Sequence, residues 1–270
     1  MNVDRVWTLT GKELRELRAS PSSLAPVVLL IAVCTVLPFL LIVILPRLTG
    51  QALTGDKTLQ GVLALARSRT PDLAAMPLAT AAEVFLFQQF LLLFLIAPIV
   101  GAVSLAAYSV VGEKQGRTLE PLLTTPMSTA EILVAKVLAS FLPSLVIEAT
   151  GLLIYCVGIA LLASPGVAGA LISLRSVLLV CVLGPFASLA GLQATIAVSS
   201  RVTDPRSAQQ IAVLVILPLI GMLIGQIVGT FFITTAMLVL LCAGMIAVWV
   251  LLILLSVALF ERETILTRWT

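Results

Sequence analysis

The sequence predicts an all-α, polytopic membrane protein: six transmembrane helices preceded by an N-terminal amphipathic helix at the interface. Three observations lead there. Sixty per cent of the 270 residues are hydrophobic and 11% charged, with a mean hydropathy of +1.17, against about 45–50% and about 25% in soluble domains. The apolar residues come in blocks long enough to cross a bilayer, which takes about 20 of them. Lysine and arginine crowd the segments on one side of those blocks.

The first span is the uncharged run Leu24 to Pro46, and the second is Val84 to Val111. Residues 137 to 174 carry only Glu148 as a charge and supply a third span, with an exit turn at Ser164-Pro165-Gly166. Ser176 to Ser200 is the fourth. The 54 uncharged residues from Ser207 to Phe260 are too long for one span and fit two, hinged near Gly229 to Thr235. The Leu24 to Pro46 run is longer than a secretion signal's apolar core and lacks a clear small-x-small cleavage site, so it reads as a retained helix.

Six spans put both termini on one side. If that side is the cytoplasm, inside segments hold eleven of the sixteen basic residues and outside segments five, the bias that sets membrane topology. The expected location is thus a cell (inner or cytoplasmic) membrane with N- and C-termini cytoplasmic. The expected layout is a cytoplasmic helix in 1–23, a six-helix domain over 24–260 with an outside loop at 47–83, and a tail at 261–270.

Before the first span, Val3, Val6, Trp7, Thr10, Leu14 and Leu17 recur at helical spacing, with Arg5, Lys12, Arg15, Glu16 and Arg18 between them. This is an amphipathic helix suited to the headgroup plane, with Trp7 as its anchor. In the outside loop, Thr70-Pro71-Asp72 is a turn or helix start, and its flanks Thr58 to Arg67 and Asp72 to Glu83 read as short helices. Between the fourth and fifth spans lies a short loop with Arg201, Asp204 and Arg206, where Asp204 caps a helix opened by Pro205. Gly221, Gly225 and Gly229 then repeat every four residues, a spacing that lets neighbouring backbones approach.

Chemistry is sparse. The chain has no histidine, the commonest general base and metal ligand. Cys34, Cys156, Cys181 and Cys242 lie inside apolar runs without paired spacing and act as small apolar residues. There is no GxxxxGK[ST] phosphate loop and no soluble segment large enough for a nucleotide-binding domain. The net charge of +3 includes no basic run suited to nucleic acid. No catalytic, cofactor-binding or metal-binding residues are expected.

The polar insert 112–136, GEKQGRTLEPLLTTPMSTAEILVAK, breaks this pattern with six charges. Gly112 and Gly116 free the backbone at the end of the second span. Arg117 to Leu123 can form a short helix with Leu119, Leu122 and Leu123 on one side. Thr125-Pro126 breaks it. Ser128-Thr129-Ala130-Glu131 has the form of a capping box, and Lys136 marks where the new helix enters the bilayer. A small leucine-faced helix fixed between two spans reads as a docking surface for a partner.

These residues resemble a known family. Glu113-Lys114, Thr118-Leu119-Glu120-x-Leu122-Leu123, Pro126-x-Ser128, Glu131-Ile132-Leu133 and Lys136 are similar to the signature of the ABC type-2 exporter permeases, the membrane subunits of one class of ATP-binding-cassette transporters. Lys12-Glu13-Leu14 before the first span and the loop after Ser199-Ser200-Arg201 extend the likeness. Arg117 replaces the usual glycine before the threonine, and Ala135 stands where glycine is common before the lysine. The resemblance implies that Arg117, Thr118, Leu119, Glu120, Leu122 and Leu123 form a coupling helix seated on a separate ABC ATPase, which binds ATP and Mg. It implies a second permease chain and export. The apolar character of the spans favours hydrophobic or amphipathic cargo.

Glu148 lies about a dozen residues into the third span, near mid-membrane. A charge there costs about 2.5–3.5 kcal/mol on insertion scales for Asp-like groups. It either contacts substrate or a cation in a pathway, or packs helices through a hydrogen bond. Gln88, Gln89, Gln193 and Gln226 read mainly as helix-packing amides. Two other readings compete with an ATPase-driven permease: an ion-coupled secondary transporter using Glu148, and a non-transporting scaffold for an ATPase.

Overall fold

The computed structural model describes residues 2–19, 21–50, 53–55, 57–116, 125–199 and 233–259, together with scattered positions between 210 and 226. Among these residues there is helix and no strand, and the all-α class holds. An N-terminal helix α1 (Val3–Ala19) is followed by α2 (Pro21–Phe39), which runs through a π-helical stretch at Leu40–Ile44 into α3 (Leu45–Thr49). The loop region holds α4 (Lys57–Arg69) and α5 (Pro71–Ala74). Then come the long helices α6 (Leu78–Gln115) and α7 (Thr129–Leu162). Short helices α8 (Val167–Leu171) and α9 (Leu174–Val177) lead through a second π-helical stretch, Leu178–Leu183, into α10 (Gly184–Ser199). The last is α11 (Thr235–Leu259).

Five helical segments among the described residues are long and apolar enough to cross a membrane: Leu24–Thr49, Leu78–Ser109, Ala130–Leu162, Leu174–Ser199 and Thr235–Ser256. The expected fifth of six spans is described only at scattered positions between 210 and 226. Gln210, Leu214, Leu217 and Ile224 within it are helical.

The flanks of Thr70-Pro71 divide differently from the sequence reading. The first becomes α4, but Asp72 to Glu83 is not one helix. A single turn ends at Ala74, and Leu78 already opens α6. The amide of Ala81 donates to Pro77 O at 2.9 Å, and α6 begins at Leu78, six residues before Val84, where the sequence places the start of the second span. Glu83 lies within this helix, its carboxylate accepting from the Ser164 amide and hydroxyl.

Helix α6 is the axis of the bundle, packed against α2, α7 and α10, while α10 in turn packs on α11. All these spans are apolar all round, as helices in a membrane are. Their lipid-facing sides carry Leu29, Val36, Leu153, Leu161, Leu240 and Leu254, all exposed. Inside, Tyr155 sits in an aromatic cluster with Phe39, Phe87 and Phe94, ring centroids 5.0–5.9 Å apart. Its hydroxyl donates to Phe87 O at 2.8 Å, so the buried polar atom is satisfied. Helix α7 reaches α2 through glycine: a Cβ on Gly158 would lie 2.5 Å from the Phe39 ring, and one on Gly151 would collide with Ile31. Close approach through small residues is how membrane helices gain van der Waals contact.

Candidate functional site

The polar insert is not isolated from the rest of the molecule. Its two stems are the end of α6 and the start of α7, and α1 lies across both. Helix α1 has a face made by Val6, Leu9, Thr10 and Glu13, positions one helical turn apart. Val6 and Leu9 are buried against Ile132 and Ala135 of α7. The Thr10 hydroxyl donates to Val6 O at 2.8 Å and lies 3.4 Å from Ala135 O. Val3 and Trp7 point outward, more than half exposed. The stripe read from sequence therefore splits: Val6 and Thr10 face protein, Val3 and Trp7 face the surroundings. Leu9 and Glu13, outside that stripe, prove to be part of the buried face.

At the centre of this contact is a buried ion pair. Lys136 Nζ lies 3.2 Å from Glu13 Oε1, and both residues are under 5% exposed. Ser109 of α6 completes a triangle: its hydroxyl donates to Glu13 Oε2 at 2.8 Å and accepts from Lys136 Nζ at 3.0 Å. Lys12 stands 4.0 Å from Glu13 and 3.3 Å from Glu16. Burial pushes the Glu13 carboxyl upward, but the Lys136 ammonium, the Ser109 hydroxyl and Lys12 outweigh it, leaving the group below its ordinary value of 4.5. One glutamate thus ties together three elements separated by 96 and 123 residues in sequence.

A second set of bonds secures the start of α7. Ser128 Oγ accepts from the Glu131 amide at 3.2 Å, and Glu131 Oε2 accepts from the Ser128 amide at 2.8 Å, closing a capping box. The other carboxylate oxygen, Oε1, accepts from the Asn2 amide at 2.6 Å. Arg5 Nη1 donates to the Pro126 carbonyl. So the turn that leaves the insert is held by the first residues of the chain.

Of the residues singled out in the sequence, Pro126, Ser128, Glu131 and Lys136 meet at this clasp. Glu113 and Lys114 occupy the last turn of α6. Arg117, Thr118, Leu119, Glu120, Leu122 and Leu123 lie outside the described residues, as do Arg201, Asp204 and Arg206.

Glu148 is elsewhere, within α7 and 4% exposed. Its Oε1 has no hydrogen-bond partner among the described residues. It faces Gly184, whose missing side chain leaves the room: a Cβ there would sit 3.6 Å from that oxygen, with Leu179 O and the Leu95 side chain equally near. An unpaired polar atom in such surroundings is costly, and no hydrogen bond from the described residues compensates it.

No group of three or more metal-ligating side chains occurs among the described residues. The family model for an ABC-2 family transporter protein matches residues 7–241, from inside α1 to inside α11. The chain belongs to that family. It is an ABC type-2 permease, the multi-pass membrane subunit of an ABC transporter and not itself the ATPase; membership implies an ABC ATPase partner. No curated protein matches the chain. In the permease, the clasp of α1, α6 and α7 sits at the two stems of the segment that bears the family-like motif.

Proposed function

We propose that the permease is driven by a separate ABC ATPase docked on residues 112–136, with Arg117 to Leu123 as the coupling helix. ATP and Mg are bound by that partner. A second permease chain, identical or related, completes the pathway. The termini and the insert face the cytoplasm, which the excess of eleven basic residues over five supports. The cargo is exported and is hydrophobic or amphipathic, in keeping with the apolar spans.

The observation that carries this reading is the double anchoring of the insert. A force applied to a loop between two membrane helices moves those helices only if its stems are stiff. Here Ser109 on one stem and Lys136 on the other share Glu13, while Glu131 and Pro126 accept from Asn2 and Arg5. Helix α1 is therefore the brace that would turn a push on the coupling helix into a tilt of α6 and α7 together. By the sequence reading, Arg201, Asp204 and Arg206 belong to the second cytoplasmic loop, on the same side as the insert.

Leu122→Asp places a charge where the leucine face would dock. The expected result is loss of ATPase capture in a pull-down and loss of ATP-dependent transport in vesicles, with the permease still inserted. Normal capture and transport by that variant would overturn the docking assignment.

A further inference from the structure

At the end of the bundle away from the clasp, two cavities adjoin. The larger, about 250 Å³, is bounded by α6, α7, α8 and the π-helical stretch after α9, with Leu152, Tyr155, Ile159, Leu171 and Val180 in its wall. Its lining is apolar apart from Ser176. Tyr155 presents only its ring, because its hydroxyl is already spent on Phe87 O. An ordered water needs two to four polar partners, and an apolar cavity of about 150 Å³ stays dry and accepts a hydrocarbon. Cys156, Ala160, Val177 and Cys181 are exposed along its rim, so the cavity opens sideways toward lipid.

The smaller cavity, about 70 Å³, shares Leu91 and Ser176 with the first and is polar on its other side, where Arg175, Ser173, Gln88 and Gln226 converge. Arg175 is exposed and donates through Nε to the Thr235 hydroxyl at 3.2 Å; no carboxylate pairs with it among the described residues. The Gln226 Oε1 is buried without a hydrogen-bond partner among them. A π-helical stretch, of the kind that recurs at functional positions, lends Val180 and Cys181 to the larger cavity and Leu179 to the smaller.

We propose that these joined cavities are a binding site for an anionic amphiphile, its alkyl chain in the apolar cavity and its phosphate or carboxylate headgroup at Arg175. The chain gains little over bulk lipid, since lipid tails are as apolar as the cavity wall. Selectivity therefore resides in the headgroup, through charge-assisted hydrogen bonds from a guanidinium and a donor on the ligand for Gln226. The same chemistry describes a resident phospholipid of the outer leaflet and an amphipathic cargo. Binding does not rest on the ATPase reading; only the choice between those two sources does.

The test is native mass spectrometry of the intact permease released from nanodiscs of mixed phosphatidylcholine and phosphatidylglycerol. The expected result is preferential retention of phosphatidylglycerol. Arg175→Gln should reduce that preference about fivefold, the upper range for an exposed charge pair. Ala160→Trp, which projects an indole from the exposed rim into the cavity, should remove retention of both lipids. Cys156→Phe serves the same purpose if the tryptophan variant fails to insert. Equal retention of both lipids by the natural sequence, or retention unaffected by all three substitutions, overturns the site. Reconstitution with the ATPase then separates the sources: loss of phosphatidylglycerol on ATP turnover marks cargo, and its persistence a resident lipid. Failure of ATPase docking would leave the binding result standing.

Discussion

The two ends of helix α7 handle charge in opposite ways. At its start, Lys136 meets Glu13 in a sealed triangle with Ser109, ion against ion, and three chain segments depend on each other. At its other end, charges cap backbone. The Glu83 carboxylate accepts from the Ser164 amide at 2.9 Å and hydroxyl at 2.7 Å, Arg47 donates to Leu162 O at 2.8 Å, and Gly166 turns the chain with φ of 93°. These far-end bonds are partly or wholly exposed; Arg47 satisfies a carbonyl of the helix end, and Glu83 holds the turn that follows it. The difference teaches where rigidity is concentrated. A buried charge pair costs heavily if either member moves away, so it holds its three elements in one arrangement. An exposed cap can be exchanged for water at little cost.

The largest effect should come from breaking the buried pair on one side only. Lys136→Met leaves Glu13 buried without its cation and should cost about 3–5 kcal/mol, seen as a lowered unfolding temperature in detergent. The double variant Glu13→Leu with Lys136→Met should recover most of that loss. A single variant as stable as the natural protein would show that the clasp is not sealed.

Acid should act on the same end. The folded-state value of Glu13 lies below its ordinary one, so the clasp's contribution is fully present above about pH 4.5 and is lost as pH falls through the lowered value. Unfolding temperature should therefore be insensitive to Glu13→Gln only at pH below that window. Between pH 5 and 7 the difference between the two proteins should be constant.

At the far end of α7 the expected changes are smaller. Glu83→Gln retains an acceptor for Ser164 and should shift stability by about 1 kcal/mol or less. A loss as large as that of Lys136→Met would erase the contrast between the ends. Between them, Glu148→Gln keeps the shape opposite Gly184 and should leave stability near that of the natural protein. A changed transport rate in that variant assigns Glu148 to the pathway; an unchanged one leaves it a packing role.

Much of this architecture was legible in composition. Runs with no charge, or with Glu148 alone, located the described spans, and Ser128-x-x-Glu131 announced a helix start through bonds three residues apart. The clasp was not legible, because no local rule relates Glu13 to Lys136 across 123 residues. A faint signal existed: Glu13 continues the 6, 9, 10 periodicity of the buried face of α1, and Lys136 interrupts an otherwise apolar run, so each is a charge on an apolar stripe. The start of α6 was misplaced for a similar reason. Glu83 looked like the edge of a loop, yet its partner is Ser164, reached only through the fold. Glu148 stood out in the sequence, but that it faces a glycine and finds no partner could be seen only in three dimensions.

The most direct test of the braced-insert account is ATP-driven transport in vesicles holding the permease and its ATPase, compared for Glu13→Gln, Lys136→Gln and the swapped pair Glu13→Lys with Lys136→Glu. The account predicts that each single variant binds the ATPase and hydrolyses ATP yet transports poorly, and that the swap restores part of the transport. Full transport by both single variants, in protein shown to be folded, would contradict it.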